Sequence, residues 1–476
     1  MEIRGDEVKK GLSIFINKCL KVLLLLVVFV TCGLYIRYVE YYKSLNMEFV
    51  ALFSITTIAL LIAIKKGFST RRILIGIMIY AFLIRLAWVL SINSVPVSDF
   101  AGMYERSELV LNGEYSIFKG FNYYARFPHL TIPVLYFALI RLISPVPLLT
   151  LKLINVISST IGVFICYKIS KEIFKEEKKT IWGMYLAAIY PATIIYTAAY
   201  CTENIAISFY LGSVYLFILV IKDKKPKEYL LLAGLILSIG NFFRMVAPVM
   251  VIAFILYTLV YIKKSFKYKT VAIAYILIAF IIPLITVNAT LKMNGITEYN
   301  LWHGSETPWT SILKGTNMTT FGRWNEEDAE VAAAFNGNYY ETEHASKELV
   351  KERYTETSPA KLLYFLGRKY TFQWSEGDFG GIYWSERDIE PKDITIDLNN
   401  YGQAYRQLFY LIMMVLTYKG LYNRQQYLKN SIINLLYIIY CGYGLLYMIT
   451  ESQDRYSFIV SWLFIILPLT AFKEKI

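Results

Sequence analysis

The chain has 476 residues, of which 56% are hydrophobic, 16% aromatic and 18% charged, with a formal net charge of +13. Ordinary soluble domains carry about 25% charged residues, and a mean hydropathy of +0.44 leaves more apolar surface than a water-soluble enzyme of this length needs. The same composition excludes a disordered chain, so the expected class is a polytopic membrane protein.

The apolar residues run in continuous blocks of roughly the 17–25 residues that a helical span requires. Barrel strands would alternate over about ten residues, so the expected fold class is all-α. The first block, Leu20–Ile36, is too long for a signal-peptide core and has no small-residue cleavage site, and it reads as a retained first span. Spans follow near 48–64, 73–92, 147–167, 180–200, 203–221, 229–243, 246–262, 270–290, 403–418, 431–450 and 456–472, about twelve transmembrane helices with the first.

Seven short polar stretches, Met1–Lys21, Lys65–Arg72, Lys168–Lys179, Lys222–Lys227, Lys263–Lys269, Lys419–Lys429 and Lys473–Lys475, hold 27 of the 49 lysines and arginines. The positive-inside rule makes them cytoplasmic, with both termini. Leu130–Ile143 is apolar but short, and it contains Pro133 and Arg141. Counting it as a span would put every later basic loop outside. It is therefore expected to lie on the outer surface or to be re-entrant, within an external loop 93–146. Residues 291–402 carry 18 of the 36 acidic residues and 11 basic ones, net −7, and read as a small external domain. The chain so divides into an N-terminal membrane domain (1–290), the external domain (291–402) and C-terminal membrane helices (403–476). The basic remainder suits an anionic cytoplasmic leaflet, so no nucleic-acid partner is needed to explain the charge. The five cysteines have no metal-ligand spacing and read as small core residues.

Chemistry-bearing residues collect at the external ends of the spans. Ser98 is a candidate N-cap and Asn112-Gly113 a stop, and between them lies a short amphipathic helix with Asp99 in its first turn. The helix dipole favours an ionised carboxylate there, and a first-turn acid needs no further role to be stable. Glu203 lies at a tight external turn between two spans, where a carboxylate is costly unless solvated or paired. Arg244 and Arg455 stand at external membrane edges, suited to bind a lipid phosphate bidentately or to pair with a neighbouring acid such as Asp454. Arg85, mid-span, reads as an internal structural pair. The external domain offers Asn317, Trp324, Trp374 and Trp384, residue types common in sugar sites and equally common as a small domain's own core.

Ser98-Asp99-Phe100 with Tyr104 and Leu111-Asn112-Gly113, Phe127-Pro128-His129 with Pro133, and Pro191 with Tyr196 and Thr202-Glu203 form an ordered series. Gly315-Thr316-Asn317 with Gly322-Arg323-Trp324-Asn325-Glu326-Glu327-Asp328 continues it, and Asp454-Arg455-Tyr456 with Pro468 closes it. In this order they resemble membrane glycosyltransferases of the GT-C superfamily. The most similar branch is the bacterial family-39-like one, related to protein O-mannosyltransferases and the lipid A aminoarabinose transferase. The first motif has one acid where the protein O-mannosyltransferases have an Asp-Glu pair, and the N-terminus is extended by two spans.

The resemblance implies a GT-C-like membrane fold with juxtamembrane helices in the first external loop. It also implies a polyprenyl-phosphate-linked sugar donor, a glycan, lipid or protein acceptor, and transfer on the external face with inversion. Asp99 and Glu203 are then the catalytic candidates, and Arg455 and Arg244 bind the donor phosphate. Tyr104, Asn317 and Trp324 contact sugar or acceptor. No nucleotide cofactor is implied. Some relatives use a divalent cation, which Asp99 and Glu203 would hold. A flippase or transporter, or a polymerase or ligase of lipid-linked glycans, is the alternative. Transporters place their polar groups near the midplane, whereas these acids lie at one edge.

Overall fold

The computed structural model describes residues 2–423 and 432–473, with the side chains of residues 2–10 and 12 outside that description. Parts of the basic stretches Lys419–Lys429 and Lys473–Lys475 also lie outside the described residues. The molecule is 76% helical and without strands among the described residues. Continuous apolar runs fold this way because only a helix satisfies its own backbone groups away from water.

Among the described residues, seven helices are long and apolar enough to cross a membrane: Ser13–Tyr42, Met47–Lys65, Thr70–Leu90, Pro147–Ile173, Glu203–Ile221, Phe266–Met293 and Ile432–Ile449. The number rises to nine if two bent helix pairs each count as one span. The remaining expected spans take other forms. Tyr229–Phe243 and Pro248–Tyr261 are shorter apolar helices, and Gln403–Tyr422 is a 20-residue helix of mixed composition. The expected last span is no single helix. It breaks into Asp454–Phe458, Leu463–Ile466 and a 3-10 segment Leu467–Ala471, and every residue from Ser457 to Ala471 is buried. A segment apolar all round is one that protein encloses, and irregular backbone at membrane depth is tolerated where protein covers it.

One bent pair explains a buried charge. Glu177–Ile189 and Pro191–Ala198 meet at 49°. Pro191 has no N–H to give Ala187, and it drives Tyr190 out of the helical region to φ −67, ψ 113. The carbonyls of Ala187 and Ala188 are instead taken by Arg85 (3.1 and 2.9 Å). Arg85 also donates to Ala81 O, Ser159 Oγ and Thr193 Oγ1. The expected internal partner of Arg85 is therefore a set of carbonyls and hydroxyls rather than an acid.

The other bent pair, Ser116–Arg126 with Pro128–Ile143, turns through 116°. Its second limb packs along the Asp99–Leu111 helix. There Arg141 donates to Tyr104 O (2.8 Å), pairs with Glu108 (3.0 Å) and covers the Tyr104 ring.

Residues 291–402 divide in two. The first part holds Trp309–Gly315, Glu326–Ala334 and Tyr339–Glu356, the last two capped by the side chains of Asn325 and Asn338. The second part sinks into the membrane helices. Trp374 packs against Tyr440 and Phe464, and Tyr196 donates its hydroxyl to Phe379 O at 2.6 Å. The stretch then returns to the end of the Thr70–Leu90 helix, where Asn93 N–H bonds Asp393 O and Thr395 N–H bonds Ser91 O. This double return holds Trp384 against Phe100 and so builds one wall of the site.

Candidate active site

Glu203 opens the Glu203–Ile221 helix directly after the irregular segment that Pro191 introduces. It is fully buried, and neither carboxyl oxygen has a hydrogen-bond partner among the described residues. Two guanidiniums face it instead. Arg244 Nε is 3.6 Å from Oε1 and Arg455 Nε is 3.8 Å from the same oxygen. Arg244 leaves the end of the Tyr229–Phe243 helix in extended conformation. Arg455 comes from the short helix Asp454–Phe458.

Aromatic faces hold the two arginines. The Arg455 guanidinium lies 4.4 Å from the Trp384 ring centre and 4.8 Å from that of Phe100, which meet edge to face. Arg244 lies 4.8 Å from the ring centre of Tyr456. Cation–π contact fixes a planar fork without using its N–H donors. Accordingly Nε and Nη1 of Arg455 and Nε of Arg244 make no hydrogen bond among the described residues. Burial works most strongly against both charges, but Glu203 together with the neighbouring acidic side chains, Tyr447 and Tyr456 at Arg244 and Cys201, Tyr456 and Asp99 at Arg455, outweighs it, so both arginine pKa values lie above the ordinary value. The outcome is a buried cationic pair with one counter-charge and donors free to meet an anion.

Asp99 begins the Asp99–Leu111 helix, next to the Phe100 that lies against Arg455. Its charge reaches Arg455. Ser98 before it occupies the cap position, but at φ 51, ψ −130 and with no side-chain capping bond. That conformation is costly for a residue with a Cβ, and it turns Asp99 toward the site. Tyr123 donates to Asp99 Oδ1 at 3.0 Å. Burial, and then Asp99 itself, push the Tyr123 pKa up, so the phenol stays a donor. His129 on the adjoining turn is pushed down to about 4 by burial and by Arg244, and it is neutral at neutral pH.

Glu203, Arg244 and Arg455 thus come together, with Asp99 beside them. Tyr104, Asn317 and Trp324 are not among their contacts. Tyr104 packs under Arg141. Asn317 donates to the buried Asp328 (3.2 Å) and accepts from the N–H groups of Thr319 and Thr320, so it shapes its own loop. Trp324 is 55% exposed. Asp454 pairs with Arg323 at 3.4 Å rather than with Arg455. Sequence reasoning missed Tyr123, which only the Tyr123-Tyr124 doublet marks; Phe100 and Tyr456 stand in the quoted motifs without a role, and Trp384, offered as a sugar-site aromatic, lies against the Arg455 guanidinium. Asp99 and Glu203 do not fit a cation site held by protein ligands. No group of three or more His, Cys, Asp or Glu suited to a metal occurs among the described residues, and guanidiniums already face Glu203.

A match over part of the chain to one known family supports a membrane glycosyltransferase of the GT-C type, and the helical membrane-length architecture is consistent with it. The match is to the dolichyl-phosphate-mannose-protein mannosyltransferase family, over residues 131–286, about a third of the chain. It takes in Glu203 and Arg244, while Asp99 and Arg455 flank it. No curated protein matches the chain.

Proposed function

We propose that the protein transfers a monosaccharide from a polyprenyl-phosphate-linked donor to an acceptor hydroxyl at the external face of the membrane, with inversion at the anomeric carbon. The observation that carries this reading is the pair of caged arginines beside Glu203, in which Nε of Arg244 and Nε and Nη1 of Arg455 make no hydrogen bond among the described residues. A lipid tail can remain in the bilayer while its phosphate reaches such a pair.

Asp99 takes the proton of the acceptor hydroxyl as general base. The acceptor oxygen then bonds to the anomeric carbon from the side opposite the phosphate. The carbon–oxygen bond to phosphate breaks, and its electron pair leaves on the lipid phosphate. Arg455 and Arg244 meet the charge that develops there, in a site where water does not screen it. Glu203 holds the two guanidiniums together when no phosphate lies between them. Tyr123 holds the Asp99 carboxyl group in place through its 3.0 Å hydrogen bond to Oδ1.

The test is transfer of radiolabelled sugar from polyprenyl-phosphate-sugar in proteoliposomes, with and without added acceptors. Loss of transfer in both Asp99→Asn and Arg455→Met supports the assignment, and full transfer in both overturns it. Movement of intact donor between leaflets without bond cleavage would identify a flippase instead.

A further inference from the structure

One buried lysine joins three segments of the chain. Lys369, in the Pro359–Trp374 helix, is 1% exposed. Its Nζ donates to Gly315 O (2.6 Å), Thr450 O (2.8 Å) and Met448 O (3.0 Å). No carboxylate lies within ion-pair distance of it among the described residues. Its acceptors lie at the ends of two helices, Trp309–Gly315 and Ile432–Ile449. The last carbonyls of a helix have no intrahelical partner, and a cation there suits the helix dipole.

The surrounding backbone is fitted to this contact. A Cβ at Gly315 would stand 2.5 Å from the Thr450 carbonyl carbon, and one at Gly322 would stand 2.6 Å from Lys369 Cε. Gly322 also has φ +75, a conformation that disfavours any side chain. The segment after Thr450 is stitched to the same loop region. Glu451 N–H donates to Ser311 O (2.8 Å), and Ser452 N–H to Gly322 O (2.9 Å). Asp454 and Arg455 follow at once. On its far side Arg455 is anchored in the enclosed segment that begins at Ser457. On its near side the anchorage runs through Lys369 and the Gly315–Gly322 loop.

We propose that Lys369 is a positioning residue: by clamping the Met448–Thr450 end against the Gly315–Gly322 loop, it sets where the Arg455 guanidinium stands opposite Glu203. This rests on the phosphate-binding role proposed for Arg455. Three converging carbonyls need three donors from one atom. An ammonium supplies them, a planar guanidinium fork does not converge in that way, and a thioether supplies none.

The experiment measures binding of sugar-free polyprenyl phosphate and steady-state transfer by the full-length protein in proteoliposomes. Wild type is compared with Lys369→Met, Lys369→Arg and Gly322→Ala, and melting temperatures are taken in parallel. Lys369→Met is expected to weaken lipid-phosphate binding and raise the donor KM or lower kcat by roughly ten- to hundredfold, leaving the acceptor KM within about twofold. Lys369→Arg restores charge without the geometry and rescues only part of the loss. Gly322→Ala, which presses on the lysine stem, gives a milder form of the same pattern and serves if Lys369→Met does not fold. A lower melting temperature with donor binding and donor KM unchanged in the folding variants would overturn the proposal. A wild type that binds lipid phosphate without transferring sugar removes the proposed reaction but leaves the clamp testable by binding. A wild type that binds none overturns both.

Discussion

Arg455 Nε stands 3.8 Å from Glu203 Oε1 although the two residues lie in different halves of the chain, and Arg244 reaches the same oxygen from a third helix end. Two positive charges here share one negative charge. Glu203→Gln therefore leaves two buried guanidiniums without compensation, at a cost of about 3–5 kcal/mol. It should lower the melting temperature more than Arg455→Met, which leaves Arg244 and Glu203 matched. Adding Arg455→Met to Glu203→Gln should raise the melting temperature again while transfer stays low. Arg455→Met alone should reduce kcat by about 10²–10³-fold. Thermal unfolding in detergent and single-turnover transfer separate the two effects. A double variant less stable than Glu203→Gln contradicts this account.

Asp99 accepts a hydrogen bond from Tyr123 at 3.0 Å. Asp99→Asn should reduce transfer by about 10²–10⁴-fold, the range for a lost general base. Tyr123→Phe removes one bond to a charged group, about 1.5–3 kcal/mol. Its effect on transfer should be smaller than that of Asp99→Asn, with little change in donor KM. Equal losses in the two variants would mean that Tyr123 itself carries the proton.

Arg85 fills the gap that Pro191 opens in the helix ladder. Arg85→Leu leaves two or more buried carbonyls unpaired at about 1–3 kcal/mol each. The melting temperature should fall sharply, and transfer per folded molecule should hold near wild type. A variant of normal stability would show that these carbonyls find other donors.

Glu386 is pushed up to about 7, chiefly by burial, against the pull of N–H bonds from Leu398 and Asn399. An unfolded glutamate titrates near about 4.3, so between these values the folded protein holds the extra proton. The stability this gives is present below the unfolded value and is lost as pH rises through about 7. Asp454, pushed up to about 7 by burial and by Glu376, acts in the same sense. Melting temperature should fall between about pH 5 and 8 on this account. The slope should flatten in Glu386→Gln and flatten further with Asp454→Asn added. An unchanged slope in the double variant would rule out both groups as its source.

The basic loops make an expected sidedness legible in sequence, and that expectation puts Asp99, Glu203, Arg244 and Arg455 on one side; the structure brings Glu203, Arg244 and Arg455 into contact. Their mutual contacts and the aromatic cage were not legible, because Trp384 reaches Phe100 only after residues 291–402 fold back onto the loop that follows the Thr70–Leu90 helix. Helical class followed directly from the apolar runs. The last segment misled because length and hydropathy cannot distinguish a straight helix from a broken one when every side chain is enclosed. Arg85 was legible as an internal structural group, but its partners were not, because they are main-chain carbonyls left open by a proline and nearby hydroxyls that no sequence spacing marks.

The family-matched region holds Glu203 and Arg244, while Asp99 precedes it and Arg455 comes near the chain's end. Without the segment from Asp454 onward, Glu203 would keep a single guanidinium partner, Arg244, and that guanidinium would lose the Tyr456 ring that braces it. The matched region thus holds half of the cationic pair, and a stretch far from it in sequence supplies both the other half and the brace of the first.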